Sequence, residues 1–177
     1  MSESNIEKYI HSVIEAVDIL HQKQLMGQVL TIIYSSIDAC GLLDAPINQE
    51  KATGKTFKDW VNKYMLSDSS IECSADDLWG ARCAVLHTHT TTSDLSKASK
   101  VKELQYISGP PENPVVIAFL KASKDIGENE SIGINIDLLL MDFLKAISKF
   151  NDEFSARIID CEVSNSRASK VLLHFAM

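Results

Sequence analysis

Between Ile6 and Leu20 the apolar side chains recur at Ile6, Ile10, Val13, Ile14, Val17 and Leu20, the i, i+4, i+7, i+8 offsets of a single helical face. Such a face has to be covered by other elements, so the chain must bring further helices or a sheet against it. The pattern continues at Leu30, Ile33, Ile37 and Cys40, which predicts a second helix starting at Gln24 or Met26 and stopping at Gly41, packed antiparallel on the first. A polar stretch from Asp44 to Lys55, carrying Pro46 and Gly54, leads to Thr56, placed to cap a third helix bearing Phe57, Trp60, Val61, Tyr64 and Met65. Ser74 with Asp77 three residues on forms a near capping box for a fourth helix, with Leu78, Trp79, Val85 and Leu86. The β-branched run Thr88 to Thr92 should end it. A last helix, with Leu139, Phe143, Ile147, Phe150 and Phe154 on one face, closes the bundle.

The middle of the chain has a different rhythm. Leu104 to Ile107, the Gly109-Pro110-Pro111 turn and Val115 to Leu120 read as strand, turn, strand, and Lys124 to Ser131 as a polar loop. The expected fold is therefore mainly α, a bundle of four to five helices with a β-hairpin inserted at about residues 103–121, in one domain over residues 1–177. The segment 155–177 fits helix or strand, because Ser164 to Ser169 interrupts the apolar pattern. A chain of 177 residues buries roughly two thirds of its unfolded surface, so the core needs neither disulfide nor structural metal.

Charge and cysteines remove several function classes. With 17 basic against 24 acidic residues the net charge is −7, and only Arg82, Arg157 and Arg167 are arginines, so bulk attraction to nucleic acid or anionic membrane is absent. Binding of that kind needs a local basic surface. Cys40, Cys73, Cys83 and Cys161 form no C-x-x-C pair, which excludes zinc-ribbon and thioredoxin-type sites. The start MSESNIEKYIHS has no basic region followed by an apolar run, and the stretch Val29 to Leu43 is interrupted by Tyr34, Ser35, Ser36 and Asp38. A soluble protein of the reducing cytoplasm, with neither cofactor nor metal, is the expectation.

Gly54-Lys55-Thr56 looks like the end of a phosphate-binding loop, but Gln49 stands where that loop needs its first glycine. His11, His21 and His174 are isolated and receive no role. Arg82 is more informative, because on a helical wheel it falls within the stripe of Leu78, Trp79, Ala81, Val85 and Leu86. A guanidinium cannot shed its proton, so it must meet a carboxylate, a helix end, an anionic ligand or a wet subunit interface. Asp38 is the carboxylate a purely structural role would use.

The spacing Arg82-x4-His87 resembles the R-x4-6-H signature of the HEPN superfamily, small helical bundles that include metal-independent RNases of bacterial toxin–antitoxin and defence systems. The resemblance covers residues 5–152 as helix order and 82–87 as residues, and the string ARCAVLHTHTTTSDLS is similar to that of bacterial proteins of no assigned role. It implies that Arg82 holds the scissile phosphate and that His87 is the general acid–base. Two residues five apart diverge by about 140° on a helix, so the resemblance further implies a homodimer joining two motifs across a twofold axis. An antitoxin partner follows for a toxin. His89, Lys97, Lys100 and Lys102 would supply the local RNA-contacting surface. Cys83 stands where active members usually carry Asn, Asp or His, which points to the alternative of a non-catalytic helical interaction module with the same fold. A second resemblance, of Leu86-His-Thr-His-Thr-Thr-Thr-Ser-Asp94 to the first motif of the PHP metal-dependent phosphoesterases, lacks a completed metal cluster, since His174 is the one histidine after His89.

Overall fold

The computed structural model describes residues 4–126, 130–160 and 162–171. Helix α1 spans Asn5–Gln22 and begins with a reciprocal cap: Ser4 Oγ accepts from the Glu7 N–H at 3.3 Å, and the Glu7 carboxylate accepts the Ser4 N–H at 2.7 Å. Its buried residues are Ile6, Ile10, Val13 and Val17, four of the six on the apolar face. After a turn in which Gln24 takes φ +58°, α2 runs over Met26–Asp44 and packs back on α1. By length and composition α2 could cross a membrane, but here it is the central helix, meeting α1 and four later helices with Val29, Ile33, Tyr34, Ile37 and Cys40 fully buried.

Gly41 does not end α2, which continues to Asp44. It is glycine because another backbone crosses there: a Cβ on Gly41 would lie 2.6 Å from the Thr56 carbonyl oxygen and 3.0 Å from its carbon. Neither atom can rotate away. Gly41→Ala is expected to cost about 1–3 kcal/mol by overpacking, read as a lowered midpoint in urea; an unchanged midpoint would contradict this crossing.

The crossing helix, α3, spans Gly54–Trp60 and is capped by Thr53, not Thr56. Thr56 is its third residue and reciprocates, its Oγ1 accepting the Thr53 N–H at 2.9 Å. A π-helical turn, Val61–Met65, follows and widens the helix, so that Trp60, Val61, Tyr64 and Met65 all point inward. They meet α7, Ile136–Asp160, whose Leu139, Phe143, Ile147, Phe150 and Phe154 are buried along one face. Between α3 and α7 come α4 (Ala75–Thr88), the short α5 (Asp94–Lys97) and α6 (Pro114–Ile126).

The expected β-hairpin is not present. Strand β1, Glu103–Ile107, pairs in parallel with β2, Ser131–Asn135, in the register Glu103↔Ser131 to Ile107↔Asn135. Val115 to Leu120, read as the second strand, lies in α6. Pro114 suits a first helical position and the Asn113 side chain accepts the Val115 N–H at 2.9 Å, so the Gly-Pro-Pro segment ends in a helix start. Val115 and Ile117 are 69% and 54% exposed, so this apolar run never becomes a buried strand. Parallel strands need a crossover, and α6 provides it. It lies across one face of the sheet, close enough that a Cβ on Gly133 would be 3.1 Å from the Leu120 Cα, while Leu104, Ile132 and Ile134 on the other face join the helical core.

The residues from Ser164 to Ser169 also differ from expectation, being inside α8, Glu162–Val171. Serine and asparagine are indifferent helix formers, and tertiary contacts hold this helix. Ala168 is buried, and the Arg167 guanidinium donates to the carbonyls of Ala45 at 2.6 Å, Pro46 at 3.1 Å and Gln49, fastening the chain just beyond α2. Residues 172–177, including His174, lie outside the described residues. The result is a mainly helical fold carrying a small parallel β-α-β unit.

Candidate functional site

Helix α4 positions both residues of the R-x4-H pair. Its start is the capping box read from sequence, with the Asp77 N–H on Ser74 Oγ at 3.1 Å and the Ser74 N–H on Asp77 Oδ2 at 2.9 Å. The other Asp77 oxygen accepts the Lys102 N–H at 2.7 Å, tying α4 to the segment entering β1. The helix ends at His89, which takes the left-handed conformation, φ +51°, with its N–H on the Val85 carbonyl at 3.1 Å. His87 is therefore in the last turn, exposed.

Arg82 meets a carboxylate, one of the partners its position allowed. Its Nε and Nη2 lie 2.8 Å and 2.6 Å from Asp38 Oδ2, and the guanidinium carbon is 5.0 Å from the Trp79 ring centroid. The arginine side chain is 19% exposed and that of Asp38 15%. Trp79 in turn rests 5.4 Å from the Phe57 ring, over Gly54, where a Cβ would come 3.0 Å from the indole. That contact gives Gly54 a packing role. Burial pushes the Asp38 carboxyl above its ordinary range, and the hydrogen bonds from Arg82 only partly offset it.

The remaining guanidinium edge faces His87, with Nη1 3.4 Å from Nε2. The wheel separation of about 140° is bridged by the length of the arginine side chain, so the two residues meet within one chain. The geometry thus removes the angular reason for expecting the pair to be built from two subunits.

His87 also lines an open cleft of about 480 Å³ with Cys83, Thr88, Thr90, Ser93 and Lys97; Arg82 stands behind His87, outside this lining. The cleft wall is a threonine loop held by its own hydroxyls. Thr88 and Thr90 Oγ1 are 2.8 Å apart, and Thr91 and Thr92 donate to Glu103 at 2.6 Å and 3.2 Å. Of the other sequence-selected residues, only Lys97 reaches this cleft. His89 is exposed at the helix cap, and Lys100 and Lys102 line a separate cavity of about 800 Å³.

His87 and His89 occupy a helix end, not the strand end of the phosphoesterase motif, and among the described residues no group of three or more His, Cys, Asp or Glu side chains converges. Sequence reasoning missed the Trp79 stack, although its i, i+3 offset from Arg82 on one helix was the available sign. It also gave His21 no role. His21 pairs with Asp137, which accepts the Ser108 hydroxyl at 3.0 Å and the Gly109 N–H at 2.6 Å. Burial works to raise the Asp137 carboxyl, and these partners, His21 foremost, hold it below its ordinary range. This is a pin between the end of α1, the turn after β1 and the start of α7. Compared with known proteins, the chain matches no family model, no curated protein and no solved structure.

Proposed function

We propose that the chain is a HEPN-like RNA-binding protein and metal-independent endoribonuclease of the cytoplasm, with Arg82 and His87 as its reacting pair. The observation that carries this reading is the approach of Arg82 Nη1, the guanidinium nitrogen that Asp38 does not take, to the exposed His87 Nε2 beside a hydroxyl-lined cleft. A phosphate placed there receives the guanidinium charge. The imidazole takes the proton of the neighbouring ribose 2′-hydroxyl, whose oxygen attacks phosphorus. The P–O5′ bond breaks, the leaving 5′-oxygen takes a proton back, and the products are a 2′,3′-cyclic phosphate and a 5′-hydroxyl end. Lys97, in the same lining and 3.8 Å from Asp94, is the cation there for the next phosphate.

The test is single-stranded RNA incubated with the protein in excess chelator. Cleavage with a cyclic-phosphate end, and none of DNA, is expected; cleavage that stops with chelator overturns the mechanism. In the same reading the protein is a homodimer, measured by light scattering, and a toxin of this kind takes an antitoxin partner. Because Arg82 and His87 meet in one chain, mixing Arg82→Ala protein with His87→Ala protein is expected to leave RNA uncut. Recovered activity in the mixture would assign the site to two subunits.

The alternative, a non-catalytic helical module, is favoured by the commitment of Arg82 to Asp38 and Trp79 and by Cys83 beside it. An intact fold that cuts no RNA, together with loss of stability in Arg82→Ala, selects this reading.

A further inference from the structure

Arg82 Nη1 reaches His87 although the two residues leave α4 about 140° apart. Something other than the backbone of α4 aims the side chain. A guanidinium is a rigid planar fork of N–H donors, so fixing one edge and one face fixes the direction of the nitrogen that remains. Both are fixed here. Asp38 Oδ2 takes the Nε and Nη2 edge at 2.8 Å and 2.6 Å, and the guanidinium carbon stands over the Trp79 ring, 5.0 Å from its centroid. What is left is Nη1, 3.4 Å from His87 Nε2.

The two groups that hold Arg82 are themselves held. Asp38 belongs to α2, the central helix, which packs on α4 and is fully buried at Ile37 and Cys40 on either side of it. Trp79 stands three residues before Arg82 on α4, and its indole rests on Phe57 and over Gly54, where there is no Cβ to push it out. The aim of Arg82 therefore depends on α2 and α3, neither of which carries a reacting residue. Charge alone gives a different account of Asp38. A carboxylate on the guanidinium lowers the positive charge offered to a phosphate, so if neutralisation were its one effect, its loss would leave cleavage unchanged or faster. Loss of aim has the opposite sign, slowing the chemical step while the freed guanidinium still attracts RNA.

We propose that Asp38 is the positioning residue of the site: from α2 it turns Arg82 so that Nη1 and His87 Nε2 face one phosphate, with the Trp79 ring as the plane against which the guanidinium is turned. A helix is a precise place for such a group, because a rigid element holds its side chains to a fraction of an ångström. The proposal rests on the RNA reading, since it assigns Asp38 to the pair named there.

The test uses the full chain with Asp38→Ala and Asp38→Asn, each checked for an unchanged circular dichroism spectrum and assayed on single-stranded RNA in chelator. Asp38→Ala should lower kcat by about 10²-fold, the cost of misplacing a group by an ångström, without raising KM. Asp38→Asn keeps a carbonyl oxygen able to accept from Nε and Nη2, so it should recover most of the lost kcat. Cleavage by Asp38→Ala at the wild-type rate or faster overturns the proposal. So does an Asp38→Asn protein as slow as Asp38→Ala, which makes charge and not aim the role of Asp38. A second readout needs no RNA. The His87 ring signal in a ¹H–¹⁵N spectrum at fixed pH, identified by its absence in His87→Ala, should move in Arg82→Ala and also in Asp38→Ala, since both withdraw Nη1. A signal that responds to the first and not to the second overturns the proposal. Trp79→Leu leaves the Arg82–Asp38 pair in place and should move the signal as well, which keeps the test decisive if Asp38→Ala does not fold; an unmoved signal there overturns the proposal too. Wild-type protein that cuts no RNA overturns the RNA reading, and the ring signal then decides the positioning by itself.

Discussion

His87→Ala should slow cleavage of single-stranded RNA in chelator by about 10²–10⁴-fold, the usual worth of a positioned general acid–base. Arg82→Ala should remove transition-state stabilisation on the order of 2.7–4 kcal/mol, as loss of other single charge-stabilising donors does. The two losses need separate controls. His87 is exposed at a helix end, so its replacement leaves packing intact and the melting temperature should not move. Arg82 is different, since its removal strands the half-buried Asp38 carboxylate and takes the guanidinium from the Trp79 ring. The double variant Arg82→Ala/Asp38→Asn removes that uncompensated charge. It should recover stability and stay inactive, and recovery of cleavage together with stability would make Arg82 a structural residue only. Activity that survives both single substitutions rules out the mechanism.

Phe150→Ala should destabilise the fold by about 3–5 kcal/mol, the range for emptying an aromatic site in a packed core. Phe150 is fully buried on α7, with ring centroids 6.0 Å from Trp60, 5.5 Å from Tyr64 and 5.3 Å from Phe154. The neighbours cannot collapse into the space. Trp60 and Tyr64 are fixed by the π-helical turn, and the Tyr64 hydroxyl is held between Asp44 at 3.2 Å and Glu153 at 3.0 Å. Urea denaturation measures the loss, and a change below about 1 kcal/mol would mean that α3 and α7 do not share this cluster.

The helices that sequence foretold are those whose reasons are local. The periodic face of α1, the Ser74–Asp77 box and the aromatic stripe of α7 all rest on neighbours within a turn or two. What sequence misread was decided by distant partners. Gly41 looks like a helix stop and is a helix interior because the Thr56 carbonyl crosses it. Val115 to Leu120 looks like a strand, and whether such a run pairs or coils depended on where the next strand lay, at Ser131–Asn135, which starts on the last residue of what read as a polar loop. The serines of α8 look like a break until Arg167 finds the carbonyls beyond α2. At the site, the demand of Arg82 for a compensating partner, with Asp38 as the structural choice, was legible because desolvation of a guanidinium is a general cost. Its meeting with His87 was not, since a helical wheel records backbone angles and ignores the reach of a side chain.

The parallel pairing of β1 with β2 also sets an order of events in folding. A hairpin would close a short loop and could form early and alone, whereas Glu103 cannot find Ser131 until the intervening segment has folded over as α6. The buried residues of α1, α2 and α7 form one cluster with Leu104, Ile132 and Ile134 of the strands. The sheet therefore closes a longer loop than a hairpin would, and the cost is offset where Leu104, Ile132 and Ile134 enter the common core.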